Sequence, residues 1–439
     1  MRLRNIAGVL FFLLVAGNAL TPARASFSTN SSESLPILAT KGDLDAISRL
    51  FSNQGVPAKT IDRVLNDQAN KISREFHVPR EIRSNVAFWL KIYTQYTSQQ
   101  VVYFDGRHPE VIYEVMDFSE LARTAKNPVV YEVTAKRRLK NTTEAYEKAF
   151  ARLAKNSRPV NPTHAEVMIL TAIKKSPHRH PFGEWKRDLR SQTGQRDFVL
   201  KGLVSAESYL PKMEAIFKQL EIPIELTRLS LVESSFNMAA TSRVGASGVW
   251  QFMPESGKEY LLIDEDGLID ERLSPLKSTV AAGRLLKRNN STLNNWALAV
   301  LAYNHGMRNL RSLASKKYRP FTALAPLFAP CTSKKDSKIG WASRNYYSEF
   351  LAMLHAEAYR DVFFGEIPSS ELRRLEFLRV DRPQNALSFA MSKGVALQDF
   401  RLLNPDIRDL GTKLPRNFLV ALPAVSDNLA GLTQRRSLR

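Results

Sequence analysis

The chain has 439 residues, 44% hydrophobic and 24% charged, a length for two or three domains with a sizeable core and a composition that excludes collagen-like or wholly disordered chains. Its 63 Lys and Arg exceed its 43 Asp and Glu, giving a formal charge of +20, which favours polyanionic partners such as nucleic acid, anionic lipid or an acidic cell-wall polymer. The single cysteine, Cys331, excludes an internal disulfide framework and a Cys-based zinc cluster.

Residues 1–25 have the layout of a secretory signal. Arg2 and Arg4 start it, an apolar stretch runs from Ile6 to Val15, and Ala23-Arg24-Ala25 supplies the small residues read at a cleavage site before Ser26. The apolar run is short for a full membrane span, which makes an uncleaved anchor the lesser alternative. No cysteine follows at the cleavage site, so the lipoprotein route is closed. Export to the periplasm turns the expected partner away from nucleic acid and toward anionic lipid or peptidoglycan, whose stem peptides carry carboxylates.

Residues 26–36 are Ser/Asn-rich. From Asp43 to Tyr96 the apolar spacing is helical, with one stripe at Leu44, Ile47, Leu50 and Phe51 and another at Val86, Trp89, Leu90 and Tyr93. Val101–Phe104 and Val111–Val115 predict a hairpin around Asp105-Gly106, its loop lengthened by His108-Pro109. Residues 121–176 return to helical spacing with many Lys and Arg, and Ser176–Pro181 reads as a loop. His178 and His180 flank an arginine there; with no third ligand visible they read as a solvated basic loop, and no metal or cofactor is expected. The chain shows no internal repeat, P-loop or dinucleotide signature.

From about Arg187 to His355 helix is expected to follow helix. Ser205–Leu220 and Thr279–Arg288 are amphipathic, and Trp296–Tyr303 is so apolar that its helix should be buried on all sides. After Pro368 the pattern changes to a small β-α-α-β unit: a strand at Leu375–Val380, helical pieces near Leu387–Lys393 and Leu397–Leu403, and a strand at Phe418–Pro423. A basic tail ends the chain at Arg435–Arg439.

One carboxylate stands out. If Ile222–Phe236 is a helix, at about 100° per residue Leu226, Leu229 and Ile222 form one stripe and Glu233 falls inside it. Leu231 and Ile224 lie on the opposite side, so the whole helix is expected to be buried. A carboxylate there is costly to ionise, and a carboxyl held protonated by desolvation is what a general acid needs. A structural Glu paired with Arg or a backbone amide is the alternative. The following Gly245-Ala-Ser-Gly-Val-Trp-Gln-Phe-Met-Pro254 run has glycines for tight turns and close backbone approach. Ser242 and Gln251 can hydrogen-bond sugar hydroxyl or acetamido groups. Trp250 and Met253 offer apolar surface to a sugar face, or belong to the core. Leu298–Gly306 ends a buried helix in the polar cluster Tyr303-Asn304-His305, with Gly306 as a cap.

Glu233-Ser-Ser-Phe-Asn237, the Gly245–Pro254 run and Ala302-Tyr303-Asn304 resemble, in order and spacing, the three signature motifs of the soluble-lytic-transglycosylase (SLT) domain family. Trp250-Gln-Phe-Met253, Ser191–Asp197 and Asp270–Pro275 are similar to its membrane-bound lytic murein transglycosylase D branch. The resemblance covers roughly residues 187–355, and more weakly 376–424. It implies a mainly α protein with a lysozyme-like helical catalytic domain. The expected organisation is a signal peptide at 1–25, a mostly helical region at 26–186, the catalytic domain at 187–360, a degenerate LysM-like α+β module at 370–425 and a basic tail at 426–439. It also implies non-hydrolytic cleavage of the β-1,4 bond between N-acetylmuramic acid and N-acetylglucosamine, with Glu233 as the sole catalytic acid/base. By the same resemblance Ser242, Gln251, Met253 and Tyr303 match positions that line the glycan groove or steady the intermediate, Asn304 is expected to bind substrate with them, and Tyr346 matches a late aromatic of the same groove. His305 stands where the family often has a small residue, and the C-terminal module lacks a Gly-Asp start.

Hydrolytic glycosidases generally use a second carboxylate. The nearest acidic run, Asp264-Glu265-Asp266 with Asp270 and Glu271 beyond, reads as a polar turn and an incomplete calcium loop. Without a second carboxylate, the substrate's own C6 hydroxyl can attack, aided by a high effective molarity, to leave a 1,6-anhydromuramoyl end. The expected partners are peptidoglycan glycan strands, with peripheral association to the cell wall or membrane surface. A hydrolysing muramidase on the same fold and a catalytically idle wall-binding protein are the alternatives.

Overall fold

The computed structural model describes residues 57–313, 319–328, 339–367 and 375–423. The expected signal segment, the 26–36 stretch, the Leu44–Phe51 stripe, Cys331 and the basic tail lie outside the described residues. Packing divides the chain into two compact units: one takes the described residues of Ser52–Val199 and Asn289–Gly365, the other those of Leu200–Arg288 and Glu366–Arg439. Helices dominate both.

The first unit is built around a helix pair and a small sheet. In the helix Arg83–Thr94 the stripe Val86, Trp89, Leu90 and Tyr93 is buried, and it packs on the long helix Trp341–Ala358. Asn345 Oδ1 accepts from Asn85 Nδ2 at 2.9 Å and from Trp89 Nε1 at 3.2 Å, so the buried amides satisfy one another. Strands β1 (Gln100–Asp105), β2 (Ile112–Asp117) and β3 (Leu189–Thr193) form an antiparallel sheet in the order β2-β1-β3. The central β1 is buried along its whole length, with Val102 opposite Val115 and Gln192.

The helix Pro128–Lys155 starts where proline is tolerated, with Asn127 accepting from Val130 N. It buries Ala135, Tyr146, Ala149, Phe150 and Leu153 in one core with Tyr103, Tyr113 and Trp185. Its other face carries exposed Lys136, Arg137, Arg138 and Lys140. The helix His164–Lys175 begins with a capping box between Thr163 and Glu166. The helix Trp296–His305 buries Ala297 through Ala302 without a break, as its composition predicts.

The second unit centres on Trp250, which is fully buried, stacks on Phe217 and donates from Nε1 to Thr279 Oγ1 at 2.9 Å. At its C-terminal end β4 (Leu375–Arg379) and β7 (Leu419–Pro423) pair antiparallel around the helices Ala386–Ser392 and Leu397–Leu403, which is the β-α-α-β order expected. The short strands β5 (Gln384–Asn385) and β6 (Lys413–Leu414) form a second pair. Asn404 clamps β7 from inside, donating to Ala421 O and accepting from Ala421 N, each at 2.8 Å. This module does not stand apart. Ile269 belongs to its core and bridges Ile407, Asp270 N donates to Asp406 O, and Arg408 N donates to Leu268 O, both at 2.9 Å.

Two expectations are corrected. Leu189–Thr193 is a strand, not part of a helical run. Its five residues are all half-buried and show no alternation, and β1 offers a free edge that decides the conformation. Ser205–Leu220 is two helices, Arg196–Ala206 and Leu210–Gln219. Pro211 lacks an N–H and fits only in a first turn, so a new helix begins there.

Candidate active site

Ile222–Phe236 is not one helix. A 3₁₀ turn at Ile224–Arg228 leads into the short helix Leu229–Ser234, which ends at Ser235 with φ 49° and Phe236 with φ 55°. Leu226, Leu229 and Leu231 are buried, whereas Ile224 is 41% exposed. The expectation of burial on all sides therefore fails at Ile224. A 3₁₀ turn has about three residues per turn, so the angular frame of the α-helix does not extend back to it. Glu233 is half-buried on the last turn.

The turn after Glu233 is held by close contacts. A Cβ on Gly202 would sit 2.5 Å from Ser235 O, so only glycine lets the helix Arg196–Ala206 lie against this backbone. Ser234 Oγ lies 3.1 Å from Val249 O as donor and 3.2 Å from Asn237 N as acceptor. This joins the Glu233 helix to the glycine-rich loop.

Within that loop Thr241 bridges Ser247, and Ser247 bridges Phe252. Half-buried Ser242 accepts from Ala246 N at 2.9 Å through Oγ. Gln251 is buried with φ 48°, and its Nε2 donates to Gly248 O at 2.8 Å and Ala240 O at 3.3 Å. Its amide thus shapes the loop, with Oε1 as its acceptor. Met253 is 36% exposed and offers apolar surface, whereas Trp250 is core.

Arg272 braces the loop from behind. Its Nη1 donates to Gly245 O at 2.7 Å and Phe252 O at 3.0 Å, while Nε and Nη2 pair with the Asp270 carboxylate. Sequence reasoning marked Asp270–Pro275 as a resemblance without finding this brace. Its signal was a buried-type Asp-x-Arg, which has no meaning until the distant carbonyls are placed. Three carboxylates of the acidic run are engaged structurally, while Glu265 and Asp266 are exposed. Asp264 Oδ2 accepts from Ile269 N at 3.0 Å, Asp270 pairs with Arg272, and Glu271 accepts from Leu262 N at 2.9 Å and pairs with Lys277 at 3.1 Å.

Tyr303, Asn304 and Tyr346 lie in the other unit. Tyr303 and Asn304 are half-buried on the last turn of Trp296–His305, which Gly306 caps with φ 87°. Asn304 Oδ1 accepts from Ser343 Oγ at 3.0 Å, and His305 Nδ1 lies 3.3 Å from the same hydroxyl. Tyr346 is fully buried in the helix Trp341–Ala358. A cavity of about 600 Å³ in the second unit, lined by Lys212, Tyr260, Phe377 and Phe418 among others, includes none of the candidate residues. Among the described residues one His/Cys/Asp/Glu group has ligand atoms close enough for an ion, namely His108, His178 and His180. Sequence reasoning missed its third imidazole, which comes from the β1–β2 loop.

The braced loop and the helix carrying Glu233 fall within a recognisable module: residues 218–323 match the transglycosylase SLT domain model. The chain therefore contains an SLT domain. Over 237 residues it is 26% identical to membrane-bound lytic murein transglycosylase D of Escherichia coli K12, covering 53% of this chain and 49% of that protein, and to the same extent to the protein of that name from Escherichia coli O6:H1. It is also 33% identical over 114 residues to an Alteromonas protein named for tributyltin chloride resistance, covering 26% of this chain and 55% of that one. The chain thus spans about half the length of the curated relatives it matches.

Proposed function

We propose that this chain is a peptidoglycan lytic transglycosylase that cuts the β-1,4 bond between N-acetylmuramic acid and N-acetylglucosamine, with Glu233 as its single acid/base. The observation that carries this reading is the setting of Glu233: half-buried on a short helix whose end is locked by Gly202 and tied through Ser234 to the braced glycine-rich loop. Such a frame fixes one carboxyl in position, which is what proton transfer to a bound sugar requires.

In the proposed reaction Glu233 gives its proton to the glycosidic oxygen as the bond to C1 of the muramoyl sugar breaks. The C6 hydroxyl of the same sugar attacks C1, and the Glu233 carboxylate takes its proton. Glu233 ends protonated as it began, no water enters, and the products are a 1,6-anhydromuramoyl end and a free N-acetylglucosamine end. The structural contacts of Asp264, Asp270 and Glu271 support the single-carboxylate reading, because these three carboxylates are committed elsewhere. Ser242, Met253, Tyr303 and Asn304 are assigned to substrate contact. Gln251 shapes the loop, and Tyr346, expected to contact the glycan, is fully buried in its own unit.

Export to the cell envelope and attachment to peptidoglycan through basic surface belong to the same reading. Among the described residues no helix is long and apolar enough to cross a membrane. The C-terminal module is read as LysM-like from its β-α-α-β order. Mass spectrometry of digested sacculi tests the function: a lyase leaves anhydro ends, a muramidase leaves ends heavier by one water, and an idle binding protein leaves the sacculi intact.

A further inference from the structure

Three imidazoles from two loops of the first unit converge on one point of the surface. His108 comes from the β1–β2 loop, and His178 and His180 from the loop between the helices His164–Lys175 and Phe182–Asp188. One ligand atom from each lies within 4.8 Å of the others. His108 Nε2 and His180 Nε2 face one another at 3.0 Å, and His178 Nε2 lies 2.9 Å from Glu110 Oε1, which is also 4.0 Å from His108 Nδ1. In a tetrahedral site with Zn–N bonds of about 2.0–2.1 Å the nitrogens stand about 3.4 Å apart, so closing the set around an ion needs a contraction on the order of 1 Å and a turn of the rings, which are stacked nearly parallel with interplanar angles of 16°, 12° and 16°.

Both loops are built to hold these rings. Buried Asp105 accepts from Arg107 N at 2.9 Å and His108 N at 2.7 Å, Gly106 N donates to Asp188 O at 2.6 Å, and Val111 N donates to His108 O at 2.8 Å. On the other side His178 N donates to Ser176 Oγ at 3.1 Å, and buried Trp185 donates from Nε1 to His180 O at 3.0 Å. Two permanent cations flank the cluster: Arg107 pairs with Glu184 at 3.1 Å and Asp188 at 2.7 Å, and Arg179 donates from Nη1 to Ser176 O and, at 2.8 Å, to His178 O. The three imidazole side chains are 17%, 34% and 27% exposed, which leaves an ion a path in.

We propose that His108, His178 and His180 form a zinc site that ties the β1–β2 loop to the 176–181 loop. Three imidazoles are a borderline donor set that suits Zn²⁺ and not the hard cations Mg²⁺ and Ca²⁺. The fourth position is left to a solvent molecule, since the three rings are partly exposed.

The test uses untagged full-length protein stripped with a chelator, then exposed to ZnCl₂ and desalted. Wild type should retain about one zinc per chain, with a melting temperature that rises on zinc addition, because an ion that binds only the folded state stabilises it. The variant H178Q/H180Q should lose both the zinc and the rise, and H164A, a change at an exposed histidine outside the cluster, should keep both. Wild type loaded with Co²⁺ instead should show the intense visible absorption of a four-coordinate site, a readout independent of how the variants fold. Zinc retention by wild type no greater than by H178Q/H180Q, or a Co²⁺ spectrum of the hexaaqua type, would overturn the proposal and leave a hydrogen-bonded imidazole cluster.

Discussion

Arg272 meets Asp270 in a buried, two-pronged ion pair, Nε to Oδ1 at 2.9 Å and Nη2 to Oδ2 at 2.8 Å. The pair joins two parts of its unit. Asp270 N donates to Asp406 O in the C-terminal module, and Arg272 Nη1 holds the carbonyls of Gly245 and Phe252 in the glycine-rich loop. Arg272→Met would leave the buried Asp270 carboxylate with the backbone N–H of residue 272 at 3.2 Å and exposed Arg408 at 3.4 Å. The expected loss is about 3–5 kcal/mol in urea unfolding, as for other buried pairs stripped of one partner. An unchanged unfolding midpoint would contradict the brace.

Gly248 and Gly267 both have positive φ, 76° and 68°, but differ in space. A Cβ on Gly248 would lie 1.9 Å from Arg272 O, whereas one on Gly267 meets nothing within 4 Å. Gly267→Ala should therefore cost only the left-handed backbone penalty of about 1–2 kcal/mol. Gly248→Ala must also push the backbone apart and should cost on the order of 4 kcal/mol or more, with loss of activity. Equal melting temperatures for the two variants would show that the close approach carries no strain.

His355 is fully buried on the helix Trp341–Ala358, and burial pushes it down to about 4 despite the hydrogen bond to Leu351 O. In the unfolded chain it takes a proton near its ordinary value of 6.5. Between these values the unfolded state binds more protons, so stability falls as pH drops through that window. His355→Leu should flatten this acid limb, read as urea midpoints across the window. A variant curve that falls as steeply as wild type would assign the loss to other groups.

The exposed Lys136, Arg137, Arg138 and Lys140 give the helix Pro128–Lys155 a basic face. Attachment to anionic sacculi through such a face is screened over a Debye length of about 8 Å at physiological salt. Pelleting with purified sacculi should drop as salt rises, and changing these four residues to Gln should reduce it at low salt. Binding indifferent to both would remove this face from the account.

Local signals were legible and distant ones were not. The β1–β2 hairpin follows from the β-branched and aromatic runs Val101–Phe104 and Val111–Val115 around Asp105-Gly106, because the runs and the turn lie within a few residues. The C-terminal β-α-α-β order was legible for the same reason, and so was burial of Ala297–Ala302. Leu189–Thr193 carries no strand pattern of its own and becomes one by pairing with β1. Glu233 could be found by motif, but the break between the 3₁₀ turn and the short helix could not, because it depends on how Leu226 and Leu229 bury. Arg272 on Gly245, and His108 beside His180, join positions 27 and 72 residues apart, and no local pattern announces such meetings.

The central claim is that one carboxyl, Glu233, performs both proton transfers. The direct measurement is the rate at which anhydromuramoyl ends form from purified sacculi, read by mass spectrometry for wild type and Glu233→Gln side by side. A single acid/base predicts a fall of about 10²- to 10⁴-fold in the variant with sacculus binding retained. Anhydro ends formed at near the wild-type rate by Glu233→Gln, or wild-type ends that carry an added water, would contradict it.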